Sequence, residues 1–118
     1  MSGRGLLFFT YIVASRKNGS VYTGSTDDLY VRVLQHRNGT FDGHTKRYGI
    51  SRLVWFETHP TRDAAFIRER RIKEWKRNWR LELIERGNPG WRHLFEDLKR
   101  DRGSSPDDWT PPPEPDDG

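Results

Sequence analysis

The chain contains no cysteine and only one methionine. Without thiols, disulfide bridges, thiolate zinc sites and cysteine nucleophiles are all excluded. Any bound metal must therefore use oxygen or imidazole ligands. Long apolar runs are also missing, because no stretch approaches the roughly 20 residues that a helix needs to cross a bilayer, and the N-terminus lacks a secretory leader pattern. We therefore expect a cytoplasmic protein with no membrane partner.

Hydrophobic residues are scarce and aromatic residues are plentiful. The 118 residues are 32% hydrophobic and 13% aromatic, with five tryptophans, six phenylalanines and four tyrosines. A chain of this length has room for one compact core. We therefore predict a single domain over residues 6–100, with a small core that depends on aromatic side chains.

Charge is distributed unevenly along the chain, with a strongly basic body and an acidic C-terminal segment. Five of the 17 acidic residues follow residue 102, where there is no Lys or Arg, so residues 1–102 carry twelve acids against 21 bases, a formal charge of +9. Clustered positive charge favours phosphate-bearing partners such as DNA. Residues 103–118 hold five prolines and no aliphatic side chain, so we predict a disordered acidic tail there.

Two runs of strand-forming residues open the chain. Residues 6–15 and 21–25 flank an Asn18-Gly19 turn, which is typical of a β-hairpin. Strand alternation places Phe9, Tyr11 and Val13 on one face. Thr26 or Asp27 is positioned to cap a following helix that Gly39 would end.

Within that helix, apolar and basic positions recur at helical spacing. The buried stripe is predicted to contain Leu29, Val33 and His36. Arg32 and His36 stand four residues apart, so they lie on neighbouring positions of one face and can act on a common ligand. Residues 40–51 have no periodicity and are predicted to form a loop.

The second half of the chain predicts one strand and three helices. Residues 52–58 form the strand, which Pro60 ends, and Thr61 caps a long helix through residue 77. Its core-facing stripe is predicted to contain Ala65, Glu69, Ile72 and Trp75 or Lys76. A helix over residues 79–86 ends at Gly87, and Asn88-Pro89 opens a last helix whose apolar positions are Trp91, Leu94, Phe95 and Leu98.

Hydrolysis of a phosphodiester requires a base for water, a cation at the phosphate, and a means to neutralise the leaving oxygen. The chain offers Tyr11 and Tyr22 on paired strands, Arg32 and His36 on the first helix, and Glu69 on the long helix.

The order of these residues resembles the GIY-YIG endonuclease family, in particular its short stand-alone bacterial members. TYI at 10–12 is similar to the first half-motif and YTG at 22–24 to the second, with Thr10 and Thr23 departing from the family pattern. The resemblance covers about residues 7–98 and includes LVWFE, the segment around Glu69 and the late NPGW. It implies an α+β fold with a three-stranded antiparallel sheet flanked by helices, and Mg²⁺- or Mn²⁺-dependent hydrolysis of DNA.

The resemblance also implies a role for each residue. Tyr22 resembles the general base, and Tyr11 resembles its partner that orients water or phosphate. Arg32 would brace the scissile phosphate, and His36 would take or relay the tyrosine proton. Glu69 resembles the sole protein ligand of the metal, and such an ion would keep most of its water. These residues belong to one expected site.

Each residue also has a structural interpretation. The tyrosines could be packing residues, Arg32 a solvated helix residue, and His36 a partly buried histidine. Glu69 could form a salt bridge to Arg68, Arg70 or Lys73. Asn88 resembles a phosphate-binding or site-bracing residue, but Asn before Pro is also an ordinary helix N-cap.

Three further features leave function open. Residues 62–80 contain eight bases and three acids, and Trp75 and Trp79 there could stack on bases, although a solvated face with two core tryptophans is the simpler interpretation. His44, Lys46, Arg47 and Tyr48 could line a nucleic-acid path. The leading hypothesis is a DNA endonuclease. The alternatives are a non-catalytic nucleic-acid-binding module on the same fold and an adaptor that uses the acidic tail.

Overall fold

A computed structural model of the chain describes residues 7–38 and 49–95. The strands are β1 (Phe8–Ala14), β2 (Val21–Thr26) and β3 (Arg52–His59). The helices are α1 (Leu29–Arg37), α2 (Arg62–Lys73) and α3 (Arg77–Gly87). The predicted hairpin, third strand and first three helices are therefore all present. The predicted acidic tail lies outside the described residues.

The strands form one antiparallel sheet in the order β2-β1-β3. The first strand of the chain is thus the central one, and β2 forms an edge. This arrangement confirms the expected α+β fold with a three-stranded antiparallel sheet flanked by helices. In the two described ranges, no helix is long and apolar enough to span a membrane.

Alternation along β1 divides the core into two halves. Phe9, Tyr11 and Val13 belong to a buried cluster that includes Leu29 and Val33 of α1. The opposite face of β1 contributes to a second cluster, which α2 and α3 cover and which contains Ile12, Ala14, Val54, Trp55, Ile72, Leu83, Ile84 and Trp91. The sheet therefore has α1 on one face and α2 with α3 on the other, as its alternating side chains require.

Capping of α1 differs from the prediction by one or two residues. The side chain of Asp28, and not that of Asp27 or Thr26, accepts the hydrogen bond from the Val31 backbone N–H. The Thr26 hydroxyl accepts a hydrogen bond from the backbone N–H of Asp28, and this contact helps to fix the capping residue. Leu29, Val33 and His36 are buried, as their spacing predicts. The C-cap is Asn38, and Gly39 lies outside the described residues.

Helix α2 begins at the predicted cap and ends earlier than predicted. Thr61 accepts from the Ala64 N–H, and the helix stops at Lys73, so the extension through residue 77 is wrong. The last turn tightens, because Trp75 donates to the carbonyl of Ile72 three residues before it. The chain then turns into α3, yet Trp75 still packs against the second core cluster.

The predicted last helix does not begin at Asn88-Pro89. Residues 88–93 are non-helical, and Trp91 has a positive φ of 55°. A bulky residue in that conformation is held by its surroundings. The Trp91 indole is fully buried and donates to Glu85 at 2.8 Å. Burial of this ring therefore overrides the helical spacing, and Leu98 lies outside the described residues.

Candidate functional site

The predicted site residues meet at the edge strand β2. Tyr22 is paired with Val13, so it projects from the face that α1 covers. Ser25 is paired with Thr10, whose hydroxyl donates to a carbonyl of α2, so Ser25 projects from the opposite face. Because β2 is the outer strand of the sheet in the part of the chain that the structure describes, groups from both faces can approach one another around it.

Two tyrosines and a histidine form the α1 side of the site. The Tyr11 hydroxyl and His36 Nε2 are 3.0 Å apart and hydrogen bonded. The ring centroids of Tyr22 and His36 lie 5.3 Å apart. His36 and Tyr11 are buried, whereas Tyr22 is only partly buried. Tyr22 is thus the phenol that can be reached from outside, and Tyr11 lies behind it.

Gly24 makes room for the inner tyrosine. It is directly opposite Tyr11 in the sheet. A Cβ atom at this position would lie 2.6 Å from the Tyr11 hydroxyl oxygen and 2.7 Å from Cζ. Only glycine therefore allows the Tyr11 ring to lie across β2 and reach His36.

Burial keeps the Tyr11 phenol protonated. Loss of solvent is the largest cause that raises its pKa, and Tyr22 adds to the increase. Arg32 acts in the opposite direction, through its charge and a side-chain hydrogen bond to Tyr11, while Glu69 also raises the pKa. Arg32 and Glu69 thus both lie within electrostatic range of the same phenol.

Glu69 forms the α2 side of the site. Its Oε1 accepts a hydrogen bond from the Ser25 hydroxyl at 2.7 Å, and its Oε2 lies 2.7 Å from Lys73 Nζ. The side chain is 13% exposed. Of the salt bridges considered for Glu69, the structure contains the one to Lys73.

Lys73 connects the two sides. Its Nζ lies 5.6 Å from the centroid of the Tyr22 ring as well as beside the Glu69 carboxylate. Tyr11, Tyr22, Arg32, His36 and Glu69 therefore surround one small region of the β2 edge.

Asn88 takes a different place. Its Nδ2 donates to the carbonyls of Val54 and Arg92, and its Oδ1 accepts from the Arg92 N–H. The residue is 5% exposed and forms the C-cap of α3, so the expectation that it begins a helix is wrong. Its amide contacts backbone groups beside β3, so of the two roles that the resemblance implies, phosphate binding or bracing, these contacts favour bracing.

Three other candidates from residues 62–80, Arg68, Trp75 and Trp79, make structural contacts. Arg68 donates to the buried Glu57 at 2.9 Å and lies over the rings of Trp55 and Trp75. Trp75 and Trp79 are partly buried and meet edge to face. These contacts favour core tryptophans over base-stacking ones. The loop candidates His44, Lys46, Arg47 and Tyr48 lie outside the described residues.

A divalent ion would have few protein ligands here. The described ranges contain no group of three or more His, Asp or Glu side chains arranged to hold a metal. Glu69 alone does suit Mg²⁺, which keeps several waters and takes one or two carboxylates together with phosphate oxygens. The ammonium of Lys73 beside Oε2 indicates that this carboxylate faces a position that accepts positive charge.

Sequence reasoning missed three members of the site. A glycine inside a strand pattern signals close approach of another group, and this signal was available for Gly24. Lys73 was named only as a possible partner of Glu69, although an i,i+4 pair on one helix face predicts the contact. Nothing in the sequence pairs Ser25 with Glu69, because their contact depends on how α2 packs against β2.

Comparison with known proteins shows the family to which the chain belongs. The family model of the GIY-YIG catalytic domain matches residues 7–82. The chain belongs to the GIY-YIG family, whose domain is that of an endonuclease superfamily. Within it, a UPF0213 protein of Staphylococcus epidermidis is 39% identical over 79 residues, which are 67% of this chain and 95% of that protein.

Relatives occur beyond the staphylococci. A UPF0213 protein of Haloquadratum walsbyi is 38% identical over 79 residues, which are 67% of this chain and 88% of that protein. The solution NMR structure of a UPF0213 protein from Bacillus halodurans is 27% identical, with a TM-score of 0.47, and the match covers 75% of this chain and 94% of that one.

Proposed function

We propose that this protein is a divalent-metal-dependent endonuclease that hydrolyses phosphodiester bonds in DNA. The observation that carries the proposal is the convergence of Tyr11, Tyr22, Arg32, His36 and Glu69 at one edge of the sheet. Five side chains from four elements would have no common reason to meet if each only packed or stayed solvated. A nuclease needs this combination of base, cation and carboxylate.

The two tyrosines divide the work by their burial. Tyr22 is partly exposed, and a cationic group lies near its ring, so after its own proton has passed to His36 the phenolate can take a proton from an attacking water. Tyr11 is fully buried and its pKa is raised, so it keeps its proton. It therefore serves to hold His36, whose ring contacts Tyr22 and can receive the proton from the phenol.

Arg32 is positioned to bind the scissile phosphate. It carries a permanent charge on a planar fork with five N–H donors. Its hydrogen bond to Tyr11 fixes the guanidinium beside the phenols. The arginine thus orients phosphate relative to Tyr22 and stabilises the charge that develops on phosphate oxygens.

Glu69 would hold the divalent ion, with Ser25 fixing the rotamer of the carboxylate through Oε1. When bound, Mg²⁺ or Mn²⁺ supplies charge neutralisation at the leaving oxygen. The formal charge of +9 on residues 1–102 supports DNA as the partner, because basic surfaces bind the phosphate backbone. Since backbone contacts carry no base information, we propose selection of DNA structure over sequence.

Cleavage of branched, flapped and plasmid DNA with Mg²⁺ or Mn²⁺ tests the proposal. Tyr22→Phe removes the proposed base and should lower the rate by about 10²- to 10⁴-fold. Glu69→Gln should abolish metal-dependent cleavage. The matched controls are Tyr30→Phe and Glu74→Gln, which alter exposed residues of the same types and should cleave like the wild type.

Equal rates in the wild type and in both site variants would refute the endonuclease. If DNA then binds in a salt-sensitive manner and is not cut, the protein is the non-catalytic binding module instead. A contaminating nuclease is excluded if cleavage is lost in both site variants and is retained in the wild type and in both control variants, all purified in the same way.

A further inference from the structure

Lys73 is the last residue of α2, and its ammonium occupies the open side of the Glu69 carboxylate. Nζ lies 2.7 Å from Oε2 and 5.6 Å from the Tyr22 ring centroid. The lysine side chain is 45% exposed, whereas that of Glu69 is 13% exposed. The inner member of the pair is therefore the proposed metal ligand, and the outer member lies at the solvent-exposed rim.

This pair differs from an ordinary pair on a helix surface. A Glu followed four residues later by a Lys is a common and weak stabilising contact on exposed faces. Here the other carboxylate oxygen, Oε1, already accepts from Ser25. Oε2 is consequently the oxygen through which Glu69 would bind an ion, and it is the one beside Lys73.

We propose that Lys73 competes with a divalent cation for Oε2 of Glu69. In the free protein the ammonium neutralises the carboxylate, and it must leave Oε2 before the carboxylate can accept an ion. The Lys73 ammonium lies at the end of a flexible four-carbon side chain at the exposed rim. After it leaves Oε2 it can therefore pair with a phosphate of bound DNA. The device would keep metal affinity low until DNA is present. It rests on the proposed function, in which Glu69 is the metal ligand.

The experiment measures Mn²⁺ binding to the full chain by electron paramagnetic resonance, without DNA. Lys73→Met keeps an unbranched side chain one atom shorter than lysine and removes its charge. We expect it to bind Mn²⁺ at least about five-fold more tightly, which corresponds to loss of a partly exposed ion pair. Lys73→Arg keeps the charge and should stay near the wild-type affinity. Lys17→Met removes the same charge from the hairpin turn and should also leave the affinity unchanged.

Adding Glu69→Gln to Lys73→Met should remove the gained affinity, which assigns it to this carboxylate. Unchanged or weaker Mn²⁺ binding by Lys73→Met would overturn the inference, as would a gain that survives Glu69→Gln. Circular dichroism verifies that each variant is folded. The readout involves no cleavage, so tighter binding in a protein that cuts no DNA would support the competition and refute the endonuclease. Cleavage of DNA together with unchanged Mn²⁺ binding by Lys73→Met would support the endonuclease and overturn the competition.

Discussion

Replacement of Gly24 by alanine is the sharpest test of how the site is built. The added Cβ would lie 2.6 Å from the Tyr11 hydroxyl oxygen, 2.7 Å from Cζ and 3.0 Å from Cε1. Tyr11 is fully buried, so its ring cannot swing into solvent to relieve the contact. Overpacking of this kind costs about 1–3 kcal/mol, whereas alanine in a strand regains roughly 0.5–1 kcal/mol of backbone entropy. We expect a net loss of about 1–2 kcal/mol.

Urea unfolding followed by tryptophan fluorescence measures the loss, with Gly90→Ala as the control. A Cβ on Gly90 would meet nothing within 4 Å, so this variant should stay within about 0.5 kcal/mol of the wild type. A double-mutant cycle with Tyr11→Leu should show coupling of about 1 kcal/mol, because the smaller side chain removes the clash. If Gly24→Ala unfolds at the same urea concentration as Gly90→Ala, then Tyr11 does not lie against Gly24 and the described site geometry is wrong.

Two further predictions concern buried polar groups. The pKa of the Tyr11 phenol is raised above its ordinary value of 10.0, so the unfolded chain loses this proton first and stability should fall as the pH rises beyond that value. The free energy of unfolding, measured across alkaline pH, should therefore decline less steeply for Tyr11→Phe than for the wild type. Tyr30→Phe is the control, and an equally steep decline in the two variants would contradict the prediction. Asn88→Ala should lose about 1–3 kcal/mol, since the carbonyl of Val54 loses a buried donor. Denaturation midpoints measure the loss, and an equal loss of stability in Asn78→Ala, which alters an exposed asparagine, would refute this reason.

Local sequence patterns were sufficient for most of the architecture. Strand alternation correctly places Phe9, Tyr11 and Val13 on one face of β1. The capping residue Thr61 correctly marks the start of α2. Both depend on neighbours within a few residues. The predicted start of the last helix at Pro89 is wrong because Trp91 is fixed by a long-range requirement, burial of its indole, that its spacing does not encode.

In the site, too, contacts between neighbouring elements follow from the sequence and long-range contacts do not. The motif spacing correctly brings Tyr11, Tyr22 and His36 together, since a hairpin and the next helix are local structures. The partners of Glu69 on other elements could not be derived in this way. Ser25 is 44 residues away along the chain, and its contact with Glu69 depends on the packing of α2 across β2.

The position of this site at an edge strand has a physical reason. A sheet separates the groups on its two faces, so a base from the α1 face and a carboxylate from the α2 face can share one substrate only where the sheet ends. Tyr22 and Ser25 project from opposite faces of β2, and Lys73 reaches from Glu69 to the Tyr22 ring around that edge. The central strand can supply only an inner group, and Tyr11 is one, buried behind Gly24. The strand order β2-β1-β3 therefore determines which tyrosine is reachable from outside, and under the proposed function it makes Tyr22 the one positioned for proton transfer with water.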